Sequence, residues 1–432
     1  MTRDLSGERA VGHARYLAEA IGVRLTGTEA ERRAADYVAA QLRAAGVPRV
    51  SIETFPCLAW GCERAALTVD GAEVPCLPVA HAGRTPEGGV EGEFLYLETG
   101  SDLDRARAPL DGRIGLMFGS FGDEPSRFRA LMDSGLAALL VVDDRLPFDW
   151  NVASGFPAYW VSLGPIIPMV SVPYRCAWDL VRTGARRARL ELRSWRAEAE
   201  SQNVIGVLPG TDPDAGEVII TCHHDGVDGS PAAEDNGSGV GCVLELAGAF
   251  AGASPRMGLR FISCGTEEHL SEGAKHYALR HREELAQDAR LVLNTDAVGC
   301  WMGENEIHVT GSPGMRAWVE ERVRATGFSA RYETKVSPFS DHFPFAALGV
   351  PAVWFHRRNC AGGRFYHHSA LDTADVLSPG VMTATLRAQA AIVDGVLAGA
   401  ETSGWRAFPP GQRQAIAECE RNWCGVRFGA TG

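Results

Sequence analysis

The strongest constraint on the fold lies in the second half of the chain, where apolar runs of strand length alternate with segments of helical period. From Asn203 onward, strands are expected at Val218 to Cys222, Leu259 to Cys264, Arg290 to Asn294 and Pro351 to Phe355. Helices are expected between and after them, at Gly239 to Phe250, Glu272 to Glu284, Met315 to Thr326 and Val381 to Leu397. Apolar strands separated by helices need crossover connections. The pattern therefore predicts an α/β fold, with a mostly parallel twisted sheet flanked by helices on both faces. Upstream, Thr28-Glu-Ala-Glu31 is a capping-box pattern. It opens a helix with Ala34, Val38 and Leu42 on one face and Gly46 at its end, followed by a strand from Val50 to Phe55.

Between about Ala59 and Arg193 the texture changes to short apolar runs broken by Gly, Pro and Asp. Strands are expected at Ile114 to Phe118, Leu136 to Val142 and Pro168 to Val172, with helices at Pro125 to Ser134 and Ala177 to Thr183. This reads as a small β-rich α+β domain inserted into a larger one, and it carries no cluster of histidines and carboxylates. Its aromatics Trp150, Tyr159 and Trp160 fit either a core or a pocket lid. A chain of 432 residues is long for a single core. The expected division is 1–58 and 196–400 for the main domain, 59–195 for the insert and 401–432 for a C-terminal extension. Pro and Gly punctuate that extension, which suggests a loosely held tail or cap.

A net charge of −12 argues against a nucleic-acid partner. No uncharged apolar stretch approaches the ~18 residues of a membrane span, so no membrane partner is expected. The N-terminus has no apolar targeting segment, and the expected location is cytoplasmic. The 11 cysteines are odd in number, and Cys222, Cys242, Cys264 and Cys300 sit in apolar runs, as buried free thiols do. Cys57/Cys62 and Cys419/Cys424 offer at most a small metal clip.

Chemistry concentrates where the expected strands end. His223 comes directly after the strand ending at Cys222, Glu267 and Glu268 come after Cys264, Asp296 after Asn294, and His368 lies in the loop after Phe355. In open α/β sheets, ligands bind beyond the carboxyl ends of the strands, so these side chains can converge. Asp235 joins them from Glu-Asp-Asn-Gly-Ser-Gly, a polar turn that opens a helix. Taken singly, each is an ordinary polar cap. As a set, His223, Asp235, Glu268, Asp296 and His368 have the ligand count of a two-metal hydrolase, with Glu267 left to move protons. Asp225, two residues after His223, can hold the other imidazole nitrogen.

These motifs resemble the cocatalytic zinc peptidases, the family of bacterial aminopeptidases, glutamate carboxypeptidases and glutaminyl cyclases. The resemblance rests on Asn203-Val-Ile-Gly-Val-Leu-Pro-Gly210, Cys222-His-His-Asp225, Glu234-Asp-Asn-Gly-Ser-Gly239, Gly265-Thr-Glu-Glu268, Asn294-Thr-Asp296, Ser340-Asp-His342 and Tyr366-His-His-Ser-Ala-Leu-Asp-Thr373, with Arg24-Leu-Thr-Gly-Thr28 upstream. Leu110-Asp-Gly-Arg-Ile114 and Ile166 to Val172 make the insert similar to a protease-associated domain. The resemblance implies a zinc exopeptidase fold with two Zn²⁺, for which Co²⁺ or Mn²⁺ could substitute. One ion would be held by His223, Asp235 and Asp296, the other by Asp235, Glu268 and His368. Asp235 would bridge, and the bond after it would be cis. Glu267 would be the general base. The resemblance also prefers His368 to His367, because His368 lies four residues before Asp372 as in the family pattern.

Ser340-Asp-His342 is not a serine triad, because consecutive residues cannot align as nucleophile, base and orienter. The resemblance instead makes it part of the pocket wall, with Asp341 and His342 near the substrate. Tyr366 adjoins the same loop. Arg357, Arg358 and Arg364 read either as a solvated basic loop or as a clamp for a substrate carboxylate. The expected activity is a metal-dependent exopeptidase, an aminopeptidase acting on short peptides, with a homo-oligomer compatible. The alternative is a carboxypeptidase or amidohydrolase acting on small N-acyl amino acids or a biosynthetic intermediate. A non-catalytic binding scaffold is the remote one.

Overall fold

In a computed structural model, which describes residues 3–119, 124–143, 149–358 and 366–429, the strand–helix alternation folds around a central strand, Glu217–His223. Gly258–Cys264 pairs with it in parallel on one side and Ala289–Thr295 on the other. Ala352–Arg358 continues the parallel set. Glu304–Thr310 then runs antiparallel to Ala352–Arg358, with Arg331–Glu333 parallel at the edge. At the other side, residues 204–208 of the strand Arg187–Leu208 pair antiparallel with Gly258–Cys264.

The period of two along these strands feeds two separate cores. Val218, Ile220, Phe261, Leu291 and Leu293 pack on one face, against the helices Gly7–Arg15, Glu29–Ala44, Gly239–Ala251, Pro313–Arg324 and Pro379–Leu397. Ile219, Ile262 and Val292 pack on the other, against Glu272–Arg280, His342–Ala347 and Pro410–Cys419. A strand buried on both faces must be apolar throughout, which is why these strands are legible as continuous runs. The helix opened by Thr28 runs Glu29–Ala44 and buries Ala34, Val38 and Leu42.

Three expectations are corrected. The helix expected over Glu272 to Glu284 is two, Glu272–Arg280 and Arg282–Asp288, broken at His281 with φ −105° and ψ 20°. The strands Glu304–Thr310 and Arg331–Glu333 have no counterpart among the expected elements; the second is the edge strand, and the first alternates Glu306 and His308 with the core residues Ile307 and Val309. The C-terminal residues are not loosely held. Trp405, Phe408, Ile416, Cys424 and Phe428 are buried in the two cores, and the Gln412 amide donates to the carbonyls of Val309 and Thr334.

The chain divides into two units, residues 1–57 with 199–432, and residues 58–198. In the second unit, Val90–Tyr96, Ile114–Phe118, Ala138–Val142 and Met169–Ser171 form a parallel run. Leu77–Pro78 lies antiparallel at one edge, and residues 187–190 lie antiparallel at the other. Trp160 belongs to this unit's core rather than to a lid: it is buried against Phe128, which also packs on Phe156. Cys222, Cys242 and Cys264 are buried free thiols. Among the described residues, neither Cys57/Cys62 nor Cys419/Cys424 joins a group of three potential metal ligands, and no helix is long and apolar enough to cross a membrane.

Candidate metal centre

The parallel strands deliver the residues at their carboxyl ends to one edge of the sheet. His223 is the last residue of the central strand, and its ring is fully buried. Its Nε2 lies 3.3 Å from Asp235 Oδ1, 3.4 Å from Asp296 Oδ1 and 3.8 Å from Glu267 Oε2. On the other side of Asp235, Oδ2 lies 3.6 Å from His368 Nε2 and 3.3 Å from His367 Nδ1. His368 Nε2 also reaches Glu268 Oε2 at 2.9 Å. The two oxygens of Asp235 thus face two different donor sets. His223, Asp235 and Asp296 can converge on one ion, and Asp235 with His367 and His368 on another. His367, which the spacing to Asp372 had set aside, is a further nitrogen at the second position. The two rings stack with centroids 3.6 Å apart.

Buried side chains hold the backbone around these groups. Asp225 lies 3.4 Å from His223 Nδ1, and its carboxylate accepts from the amides of Glu267 at 3.0 Å and Glu268 at 3.1 Å. One aspartate therefore orients the imidazole and fixes both glutamates. Asp372, on the sequence only a spacing marker, accepts from the amides of Glu234 and Asp235 at 2.7 and 3.1 Å. The Asp235–Asn236 bond is cis. Ser340 donates to Asp296 Oδ2 at 2.5 Å and accepts from Asn294 Nδ2 at 2.6 Å, and Asn294 Oδ1 accepts from Thr221. Among the described residues, the non-glycine positions with positive φ include Ala232, Thr266, Leu270, Ser271, Ala297 and His368, all in the loops that carry these groups. Strain of this kind, about 1–3 kcal/mol at each position, persists where the surroundings over-determine the backbone.

Two buried charged residues from the N-terminal segment complete the support, and the motifs alone assign neither a role here. The Arg24 guanidinium is fully buried and donates to the carbonyls of Leu17, Gly22, His224, Pro231 and Ala232. Glu31 is also fully buried. Its carboxylate accepts from the Gly27 amide at 2.7 Å, the Ser201 hydroxyl at 2.7 Å and the Thr266 amide at 3.2 Å. It thereby pins the Gly265–Thr266 turn that presents Glu267 and Glu268. Gly265 is required there, because a Cβ would sit 2.7 Å from the backbone carbonyl oxygen of Gln202 and 2.4 Å from Ser201 Oγ. Thr28 does cap the helix, as the capping-box pattern predicts, but the reach of the Glu31 carboxylate is tertiary.

The electrostatics call for cations. Burial raises Glu267 well above the usual carboxylate range, opposed by His223 and reinforced by Asp296, Asp341 and Glu268. Burial also raises Glu268, with His368 opposing. Burial alone would lower His223, but the charges of Asp296 and Glu267 and the contacts to Asp225 and Asp235 hold it well above its usual value. Carboxylate oxygens lie 3.4 and 3.3 Å from the two ring nitrogens of His223, but neither nitrogen makes a hydrogen bond of good geometry, and Oε1 of Glu268 is buried without a hydrogen-bond partner. Orphaned nitrogen and carboxylate donors among crowded acids fit a divalent ion such as Zn²⁺.

Of the residues expected near the substrate, Asp341 and His342 are 0 % and 2 % exposed, buried in the wall. Burial pushes the Asp341 carboxyl up to about 8 and the His342 imidazole down to about 3, and the His342 ring stacks on Trp354. Arg357 is buried, donating to the carbonyls of Cys300 and Trp301 and to Asn305 Oδ1. Arg358 pairs with Glu306 at 3.3 Å. Both arginines are committed to the loop and its neighbouring strand. Tyr366 remains half-buried beside Cys300. Arg364 lies outside the described residues.

Residues 203–393 match the family model described as peptidase family M28. The aminopeptidase YwaD of Bacillus subtilis is 28% identical over 354 residues, covering 78% of this chain and 73% of that one. A probable lipoprotein aminopeptidase, LpqL, of Mycobacterium tuberculosis is 25% identical over 354 residues, covering 77% of this chain and 69% of that one. The structure of BSAP, a zinc aminopeptidase from Bacillus subtilis, superposes with a TM-score of 0.74 at 24% identity, covering 94% of this chain and 99% of that one.

Proposed function

We propose that this chain, whose residues 203–393 match peptidase family M28, is a zinc-dependent aminopeptidase that removes N-terminal residues from short peptides using two zinc ions per chain. The observation that carries this reading is the two-sided Asp235, with Oδ1 toward His223 and Oδ2 toward His368. One ion would be held by His223, Asp235 and Asp296, the second by Asp235, Glu268 and His368. Bound zinc supplies Lewis acidity, polarising the scissile carbonyl and acidifying a water.

The chain's own residues supply the rest. The Glu267 carboxylate is buried beside His223, and its Oε1 accepts from the Ser271 hydroxyl at 3.0 Å, which leaves Oε2 toward the ligand cluster. Glu267 takes the proton of the attacking water and delivers it to the leaving amine nitrogen as the C–N bond breaks. Asp225 keeps Glu267 and Glu268 in register through their amides. Ser340 restricts the rotation of the Asp296 carboxylate.

Two relatives of similar length support the choice of an aminopeptidase, since both are named for that activity. The carboxypeptidase or amidase alternative rested on the loop of Arg357, Arg358 and Arg364, and the other partners of Arg357 and Arg358 weaken that motive. The test is hydrolysis of aminoacyl anilides and of free and N-blocked dipeptides by the zinc-loaded protein. Release of the free N-terminal residue, abolished by chelator and restored by zinc, is expected. No chelator-sensitive release, or faster cleavage of the N-blocked series, would overturn the assignment.

A further inference from the structure

The ligand residues lie at the carboxyl ends of the strands, and a separate cavity lies near their amino ends. It has a volume of about 550 Å³ and is bordered by the turn Pro213–Ala215, by Arg256 and Arg290, and by the chain from the end of helix Pro379–Leu397 through Ser403 to Arg406. Three arginines and two acids line it. Arg256 is matched by Asp212 at 2.8 Å. The acids Asp214 and Glu401 are exposed, and Glu401 accepts from the Ser403 amide at 2.8 Å.

Arg290 and Arg406 are different. Both are half-buried, and among the described residues neither has a carboxylate within ion-pair distance. Each uses two of its three guanidinium nitrogens on backbone carbonyls. Arg290 donates to Ala215 and Gln287 at 3.2 and 2.6 Å, and Arg406 to Gly349, Ala289 and Leu285 at 3.2, 2.6 and 3.4 Å. These bonds account for the anchoring of both side chains but leave Nη2 of Arg290 and Nε of Arg406 uncommitted. Burial, with the Arg290 charge as the smaller cause, lowers the proton affinity of Arg406. Two like charges held together in a partly desolvated cavity are unfavourable without a counter-ion. The remaining N–H groups of each cation can donate charge-assisted hydrogen bonds to a phosphate or carboxylate oxygen. A cavity of this size also admits more than a lone ion.

We propose that this cavity binds a small multivalent oxyanion, a phosphate- or polycarboxylate-bearing metabolite, between Arg290 and Arg406. The test is calorimetric titration of the zinc-loaded full chain with inorganic phosphate and, separately, with citrate, at constant ionic strength. Saturable binding of one anion per chain is expected in at least one arm. Phosphate alone or citrate alone identifies the class of head group. Arg290→Gln should weaken that binding by about tenfold or more. Ser403→Glu, which places a carboxylate in the cavity and leaves both guanidiniums intact, should do the same. Zinc content and circular dichroism serve as the check on folding, and Ser403→Glu keeps the test informative if Arg290→Gln does not fold. An anion held at the metal centre would be indifferent to both variants. Absence of saturable binding in both arms, or wild-type affinity in both variants, overturns the proposal.

Discussion

Replacing Glu31 by alanine should damage the catalytic edge from a distance. The substitution strands three donors, the partly buried Gly27 amide and the buried Ser201 hydroxyl and Thr266 amide. Each such hydrogen bond contributes about 1 kcal/mol net, and each stranded donor costs about 1–3 kcal/mol. Relief of a buried carboxyl offsets part of this, so a loss of about 3 kcal/mol is expected in urea unfolding of the zinc-loaded protein. Because the Thr266 amide belongs to the turn before Glu267, kcat should fall more than KM rises. Glu31→Gln keeps one accepting oxygen and should lose about half as much stability. The same pair gives a pH signature. Burial, reinforced by the Asp225 charge, pushes the Glu31 carboxyl from 4.5 up to about 8. The native state holds the proton that the unfolded chain has released. The contribution is therefore fully present below about pH 4.5 and is lost as pH rises toward 8. Glu31→Gln, which cannot titrate, should flatten that decline. If Glu31→Ala lies within about 0.5 kcal/mol of wild type and Glu31→Gln leaves the pH slope intact, the claim that Glu31 pins the turn is wrong.

The metal centre and its supports yield four further expected outcomes. Glu267→Gln should retain zinc and fold but lose about 10²- to 10⁴-fold in kcat, and full activity in that variant would show that another group moves the proton. Ser340→Ala should weaken zinc affinity or activity by about 10- to 100-fold, measured by chelator competition, because Asp296 loses the hydroxyl that orients it. Chelation should lower the unfolding midpoint, with zinc restoring it, since crowded buried acids lose their counter-ions; unchanged stability would argue against a metal in this cluster. Arg357→Ala should reduce stability by about 2–4 kcal/mol through the lost contacts to Cys300, Trp301 and Asn305, with no selective loss on substrates bearing a free carboxylate.

Much of the site is legible along the chain because a parallel sheet imposes order on it. His223, Glu267, Glu268 and Asp296 can be placed at one edge as soon as the apolar runs before them are read as strands. The bridging role of Asp235 comes from the resemblance, and the structure shows its two oxygens facing separate donor sets. The supporting groups are not legible in this way. Glu31 is more than 160 positions from Ser201 and over 230 from Thr266, and its local role as a helix-start residue masks the tertiary one. Ser340 looks like part of a false triad, and only the fold brings it to Asp296. Arg357 and Arg358 look like solvated cations or a clamp, and only the neighbouring strand Glu304–Thr310 explains their partners. That strand itself escapes detection, because Glu306 and His308 alternate with the core residues Ile307 and Val309 and leave no continuous apolar run.

Local pattern alone set the alternation of strand and helix, the two-faced burial of the central strands and the chemical types of the ligands. All three depend on the period of apolar residues and on the residue type at each strand's carboxyl end, both of which are short-range properties. Which charged groups face one another was settled only when the chain packed. Packing set His367 beside His368, turned Asp341 and His342 inward, tied the C-terminal residues into the core, and brought Arg290 and Arg406 together at the far end of the sheet. Charge interactions depend on distance and burial, and neither can be read along a chain until the chain has folded back on itself.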